Sequence, residues 1–201
     1  MEQNESHISK FRAKDHLVSG EYFDIIWNES RTIAKTNIEN IKDISLYYNS
    51  SNYDSFKNTA KGTLDIIYFL IQKIMFRYKL FLLRIYLKGN RILDYGAGSG
   101  KFAAYLSKKK FNTSVVEPYN KEIKNQLPLN INVFEKITDI PKSDYYDGIT
   151  LWHVLEHLSN PEHVLSKIHN LLEKNGVLMI AVPNISSLDA RYNKSYWAAL
   201  D

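Results

Sequence analysis

Cysteine is absent from this sequence, which excludes a disulfide framework and every thiolate metal site. Proline and glycine are sparse, at five and eight in 201 residues, so the chain is neither fibrous nor of low complexity. No internal repeat is found. No uninterrupted apolar run approaches the ~20 residues of a bilayer-spanning helix, and the opening "MEQNESHISKFRAKD" lacks the apolar core of a secretory signal, so a cytoplasmic location is expected. What is present is 44% hydrophobic residues, enough for one domain with a core and a small appendage.

Acidic residues are nearly missing from one segment. Between Lys61 and Arg91 seven basic residues face a single acid, Asp65, so this stretch carries +6 of a net +4 and the rest of the chain −2. Its apolar residues are dense but broken by Lys73, Arg77, Lys79 and Arg84, which reads as one or two amphipathic helices over residues 61–89 with a solvated basic outer face. Peripheral membrane contact through this segment fits the same pattern; a nucleic-acid partner is not expected.

From residue 90 onward, strand, loop and helix alternate. "RILDYG", "NTSVVEP", "INVF", "YYDGITLW" and "VLMIAV" read as five strands, with helices over "KFAAYLSKK" and "SNPEHVLSKIHNLLEKNG". The second helix is well punctuated: Ser159 or Asn160 as cap, Pro161 at the first turn, a buried stripe at Val164, Leu165, Ile168, Leu171 and Leu172, and Gly176 as terminator. Such alternation implies an α/β fold with a mostly parallel sheet. Residues 1–60 are polar, with "GEYFDIIW" as a strand of a hairpin, and form the appendage.

The most informative stretch is "ILDYGAGSG", Ile92 to Gly100, between a strand and a helix. Gly96, Gly98 and Gly100 allow close backbone approach to a ligand, and Asp94 places a carboxylate at the strand's carboxyl end. A dinucleotide fingerprint requires glycine at position 101, where this chain has Lys101, which disfavours a nicotinamide oxidoreductase. Glu117 closes the next strand, 21 positions after Gly96, where a carboxylate accepts both hydroxyls of a ribose. Loop and acid together indicate an adenosine-type ligand that also presents an ammonium.

On these residues the chain resembles the class I S-adenosylmethionine-dependent methyltransferases, in the bacterial branch that includes ubiquinone-type O-methyltransferases. "ILDYGAGSG" is similar to the family's first motif, "VVEP" to its second, and "YYDGITLWHVLEHLSNPEHVLSKIHNLLEKNGVLMIAVPN" to its fourth strand, following helix and fifth strand. The resemblance covers about residues 88–201 and implies a Rossmann-like sheet. It implies S-adenosyl-L-methionine as cofactor and methyl transfer to a small-molecule or glycan- or lipid-precursor acceptor, with O-methylation favoured. It assigns the methionine part to Asp94 and the Gly96, Ala97 and Gly98 backbone with Trp152 nearby, the ribose to Glu117, and the adenine to Pro118, Tyr119 and the backbone near Ile137. His153 is the candidate base. A cofactor-binding but inactive or partner-dependent protein is the alternative from another class.

Two departures from the family pattern stand out. The last two strands are missing after "YWAALD", so about five are expected, "VLMIAV" becomes an open edge, and the 90–201 domain is expected to be incomplete. In "KDHLVSGEYFDIIWNESR", similar to a region where relatives carry a small zinc finger, Asn28 and Arg31 stand in place of a C-x-x-C pair. A separate signal lies in "WHVLEHL": His153, Glu156 and His157 spell the inverted zinc-peptidase motif, H-x-x-E-H. Its place directly after a strand argues against that reading, which needs a long helix and a third ligand, and no metal is expected.

Overall fold

The computed structural model describes residues 10–16, 19–30, 32–37, 41, 63–120, 122–197 and 199. They divide into two compact units, one of residues 54–182 and one in which residues 183–201 group with 1–53.

The larger unit begins with α1 (Thr63–Tyr86), then β4 (Arg91–Tyr95), α2 (Lys101–Lys108), β5 (Asn112–Val116), the short α3 (Ile123–Gln126), β6 (Asn132–Phe134), β7 (Tyr146–Trp152), α4 (Pro161–Leu171) and β8 (Leu172–Ala181). The five strands form one parallel sheet in the order β6-β5-β4-β7-β8. Strand alternation sends successive side chains to opposite faces. Ile92 therefore packs with Leu80, Leu83, Phe102 and Leu106 of α1 and α2, while Leu93, Val116, Ile149 and Leu151 pack with Ile168 of α4. Covered on both faces, β4 and β7 are nearly continuous buried runs, as central parallel strands are.

The helix after β7 starts as its sequence indicates. Asn160 Oδ1 accepts from the His163 N–H at 3.1 Å, and Pro161 occupies the first turn, where its missing N–H costs nothing. It does not end at Gly176. Leu172 is already extended and pairs with Tyr146, so α4 stops at Leu171 and the strand starts five residues early. Asn175 (φ +70°) and Gly176 form an irregularity between the Tyr146↔Leu172 and Gly148↔Val177 pairings, and a Cβ on Gly176 would lie 2.9 Å from the Glu173 carbonyl oxygen. Glycine is required there by a close approach within the strand, not by a helix cap. Glu173, expected on the helix, lies on β8 and pairs with Arg91. Among the described residues β8 has a strand neighbour on one side only, as expected of an edge.

The basic segment is one 24-residue helix, and its outer face differs from the expectation. Leu80 and Leu83 are buried and Phe76 and Leu87 pack beside them, but the opposite side exposes Ile67, Ile71, Ile74, Tyr78, Phe81 and Ile85. The solvated face is largely apolar, with cations along one margin. Among the described residues no helix is long and apolar enough to cross a membrane.

In the smaller unit β1 (Lys10–Lys14), β2 (Tyr22–Trp27) and β3 (Ala34–Thr36) form an antiparallel sheet, so "GEYFDIIW" is a hairpin strand. Asn28 closes the β2–β3 turn with its own amide: Oδ1 accepts from the Thr32 and Ile33 N–H groups, and Nδ2 donates to Ser30 Oγ and Thr32 Oγ1. Arg31 lies outside the described residues. The same unit holds α5 (Leu188–Asn193), capped by Ser187, with Asp189 accepting from Trp197 Nε1.

Candidate cofactor site

Parallel pairing sets the carboxyl ends of β4, β5 and β7 level: Tyr95 lies opposite Val116 on one side and Leu151 on the other. Open parallel sheets bind ligands at this end. The chain leaves β4 through Gly96 (φ +72°), Gly98 (φ +57°) and Gly100 (φ +70°), three left-handed residues in five, a path that only glycine follows without strain. They differ in surroundings. A Cβ on Gly96 would stand 2.5 Å from the Val154 side chain and one on Gly100 2.7 Å from Leu127, but at Gly98 nothing lies within 4 Å. Gly96 and Gly100 are closed in by packing; Gly98 faces open space.

Glu117 follows β5 directly and is 6% exposed. Its Oε2 accepts from the Gly98 N–H at 2.6 Å, and its Oε1 accepts from the N–H groups of Tyr119 (2.9 Å) and Asn120 (3.3 Å). Asn120 Nδ2 donates back to the Gly98 carbonyl at 3.0 Å. The carboxylate thus ties the glycine turn to the segment after β5. With about four lone-pair positions on its two oxygens, it retains acceptor capacity for a ligand hydroxyl. Pro118 and Tyr119 are exposed beside it, and Ile137 lies in a single 3-10 turn (Ile137–Asp139) after β6, half-buried against the core.

Asp94 is 3% exposed, and its Oδ1 accepts from Thr150 Oγ1 on the paired strand at 2.7 Å. Burial pushes its carboxyl up to about 6, against the downward pull of the Thr150 hydrogen bond and of Lys79. Lys79, from α1, shares this face: its Nζ is 4.4 Å from the centre of the Trp152 indole and 5.1 Å from Phe102. Burial lowers the Lys79 pKa, and Asp94 opposes that. Trp152 meets Phe102 edge-on, and its Nε1 is buried with no hydrogen-bond partner among the described residues. A buried anion, a nearby ammonium and an orphaned N–H therefore share one side of the sheet.

His153 follows β7 in a left-handed conformation (φ +57°), with its N–H donating to the Ala181 carbonyl and its side chain 64% exposed. Its Nδ1 is 3.6 Å from Glu156 Oε1. Burial pushes Glu156 upward, but the His153 ring, a backbone hydrogen bond and the His157 ring outweigh it and hold the group below the ordinary range. Burial lowers His157. Leu155–His157 form a 3-10 turn, so His153 and His157 do not share a helical face and the inverted peptidase geometry is not built.

The structure brings Asp94, Gly96, Ala97, Gly98, Glu117 and Trp152 to one end of the sheet with His153 beside them. Three participants escaped the sequence reading. Thr150 holds Asp94 only because of the β4–β7 register, Lys79 reaches the sheet from another element, and Asn120 acts through a hydrogen bond spanning 22 residues. Only Asn120 left a local signal, lying two residues beyond "VVEP".

A parallel sheet with a buried acid before a glycine turn and a second acid ending the next strand defines a Rossmann-like nucleoside-binding domain of the methyltransferase type. Residues 68–201 match the family model described as a methyltransferase domain, and the chain belongs to that family. It is 29% identical over 102 residues to (S)-coclaurine N-methyltransferase of Thalictrum flavum subsp. glaucum, covering 46% of this chain and 28% of that protein. It is 28% identical over 108 residues to the mitochondrial ubiquinone biosynthesis O-methyltransferase of Candida albicans, covering 46% and 32%. The chain thus spans less than a third of the length of either relative. In fold it is similar to a SAM-dependent methyltransferase from Archaeoglobus fulgidus, with a TM-score of 0.50 and 21% identity over 63% of this chain and 62% of that one.

The cofactor of this family is S-adenosyl-L-methionine. The residues present fit it: open space at Gly98, a buried carboxylate at Asp94 for an ammonium, and an unsatisfied Trp152 N–H.

Proposed function

We propose that this chain takes part in methyl transfer from S-adenosyl-L-methionine to a hydroxyl of a small-molecule or glycan- or lipid-precursor acceptor. The observation that carries the reading is the joint held by Glu117, whose carboxylate binds the Gly98 N–H at 2.6 Å and so sets the glycine turn against the ribose position. When bound, the cofactor supplies an electrophilic methyl on a good sulfonium leaving group. The protein's task is then alignment, and orientation alone accounts for about 7–11 kcal/mol in well-ordered systems. Glu117 accepts one ribose hydroxyl at the position left on Oε2, Pro118 and Tyr119 flank the adenine with the backbone near Ile137, and Asp94 takes the ammonium. Lys79, 4.4 Å over the Trp152 ring and coupled to Asp94, supplies a cation for the carboxylate of the same amino-acid end.

O-methylation is supported by His153, exposed at the carboxyl end of β7 and facing Glu156 at 3.6 Å, an arrangement suited to taking a proton from a hydroxyl. Of the two curated relatives, one is named for N- and one for O-methylation.

The assignment of the amino-acid end is tested with three ligands: S-adenosylhomocysteine, its decarboxylated analogue, and 5′-methylthioadenosine, which lacks both charges. Lys79→Met is expected to weaken S-adenosylhomocysteine about tenfold or more, the loss of one charge-assisted contact, and to leave the other two unchanged. Equal weakening of all three would remove Lys79 from the carboxylate. Failure of the wild-type chain to bind any adenosyl ligand would remove the site.

A further inference from the structure

The outward face of α1 has no role in the cofactor site. Ile67, Ile71, Ile74, Tyr78, Phe81 and Ile85 are all exposed and recur at alternating spacings of four and three residues, which places them in one stripe along the helix. The packed residues Phe76, Leu80, Leu83 and Leu87 follow the same spacing on the other side. At 1.5 Å per residue the exposed stripe is about 27 Å long. Six large apolar side chains in a row form a patch of the kind that marks an interaction site rather than ordinary surface.

Charge indicates what covers it. Lys73, Arg77 and Arg84 border one margin of the stripe, and none makes an ion pair among the described residues. The helix's sole acid, Asp65, belongs by the same spacing to the packed side. A second copy of α1 is a poor match. In a helix pair the flanking positions would be Leu70, Arg77 and Arg84 on one side and Tyr68, Met75 and Leu82 on the other, with no carboxylate among them. An antiparallel pair would set arginine against arginine. An anionic lipid surface complements both features: the apolar stripe enters the acyl boundary, and the long cationic side chains reach headgroup phosphates alongside it.

We propose that α1 docks this protein on anionic membranes, lying in the plane of the interface with Ile67–Ile85 inward and Lys73, Arg77 and Arg84 at the headgroups. Docking of this kind is reversible and takes two signals, apolar insertion and charge, so removal of either releases the protein.

The test is flotation of the full chain with phosphatidylcholine vesicles, with and without phosphatidylglycerol, across a salt series. Binding is expected only with phosphatidylglycerol and should weaken with salt. Phe81→Glu is expected to abolish it, and the pair Arg77→Gln with Arg84→Gln to lower it about 25-fold, at about fivefold per cation. All three side chains are exposed, so thermal melting should stay unchanged and certify the fold. Binding that ignores phosphatidylglycerol, or that survives Phe81→Glu, overturns the proposal. So does absence of vesicle binding, and a dimer in sedimentation that Phe81→Glu dissociates would assign the stripe to a second copy instead.

Discussion

Replacing Asp94 with Asn separates what the folded chain wants from what the cofactor requires. The Asp94 carboxyl is held at about 6 against an ordinary 3.8, chiefly by burial, so the folded state retains its proton where the unfolded chain has lost it. A group with a raised folded pKa contributes its full stability below the unfolded pKa and loses it as pH rises through the folded one. The Asp94 contribution to wild-type stability therefore falls between about pH 4 and 6, by at most about 3 kcal/mol at 1.36 kcal/mol per pKa unit. Asn keeps an oxygen to accept from Thr150 Oγ1 but carries no charge, so Asp94→Asn escapes this loss. In urea unfolding followed by circular dichroism, the variant should match wild type near pH 4 and exceed it by about 1–3 kcal/mol at pH 8. Other carboxylates are common to both proteins and cancel in the difference. The same substitution should weaken S-adenosylhomocysteine at pH 8, because the ammonium loses its counter-charge. A stability difference that is flat from pH 4 to 8, or a variant less stable at pH 8, would refute the reasoning.

The glycine turn allows a second separation. Gly96→Ala forces a Cβ to 2.5 Å from Val154 and should lower stability by about 1–3 kcal/mol, whereas Gly98→Ala meets only its positive φ, about 1 kcal/mol, and should act mainly on ligand affinity. Thermal melting read beside S-adenosylhomocysteine titration distinguishes the two, and equal losses in both would contradict the assignment of Gly98 to the ligand face. For His153→Ala the expectation is intact cofactor affinity and turnover reduced about 10²–10⁴-fold on a hydroxyl acceptor; an unchanged rate would end its role as base.

The fold was legible where local chemistry decides it. The Asn160–Pro161 start of α4, the apolar strands β4 and β7, and the acid-glycine order from Asp94 to Gly100 are properties of short windows, and the structure builds each of them. Gly176 misled because glycine serves helix ends and close backbone approaches alike, and only the pairing of Leu172 with Tyr146 decides between them. The outer face of α1 misled because the helix's four cations, only three of which border that face, mask a second apolar stripe of the same period as the first. At the candidate site, Asp94 near the end of β4 and Glu117 directly after β5 stand out in the sequence by their positions. Thr150 and Lys79 were not: one depends on strand register and the other on packing between α1 and the sheet.

The most direct test is calorimetric titration of S-adenosylhomocysteine into the wild-type chain and into Glu117→Ala. Glu117 is the one side chain that binds the Gly98 N–H and is also assigned to the ribose. One saturable site is expected in wild type and affinity lower by about tenfold or more in the variant, with circular dichroism reporting how far the loss of the Gly98, Tyr119 and Asn120 contacts alters the fold. No binding to wild type, or the same affinity in a folded Glu117→Ala, would contradict that expectation.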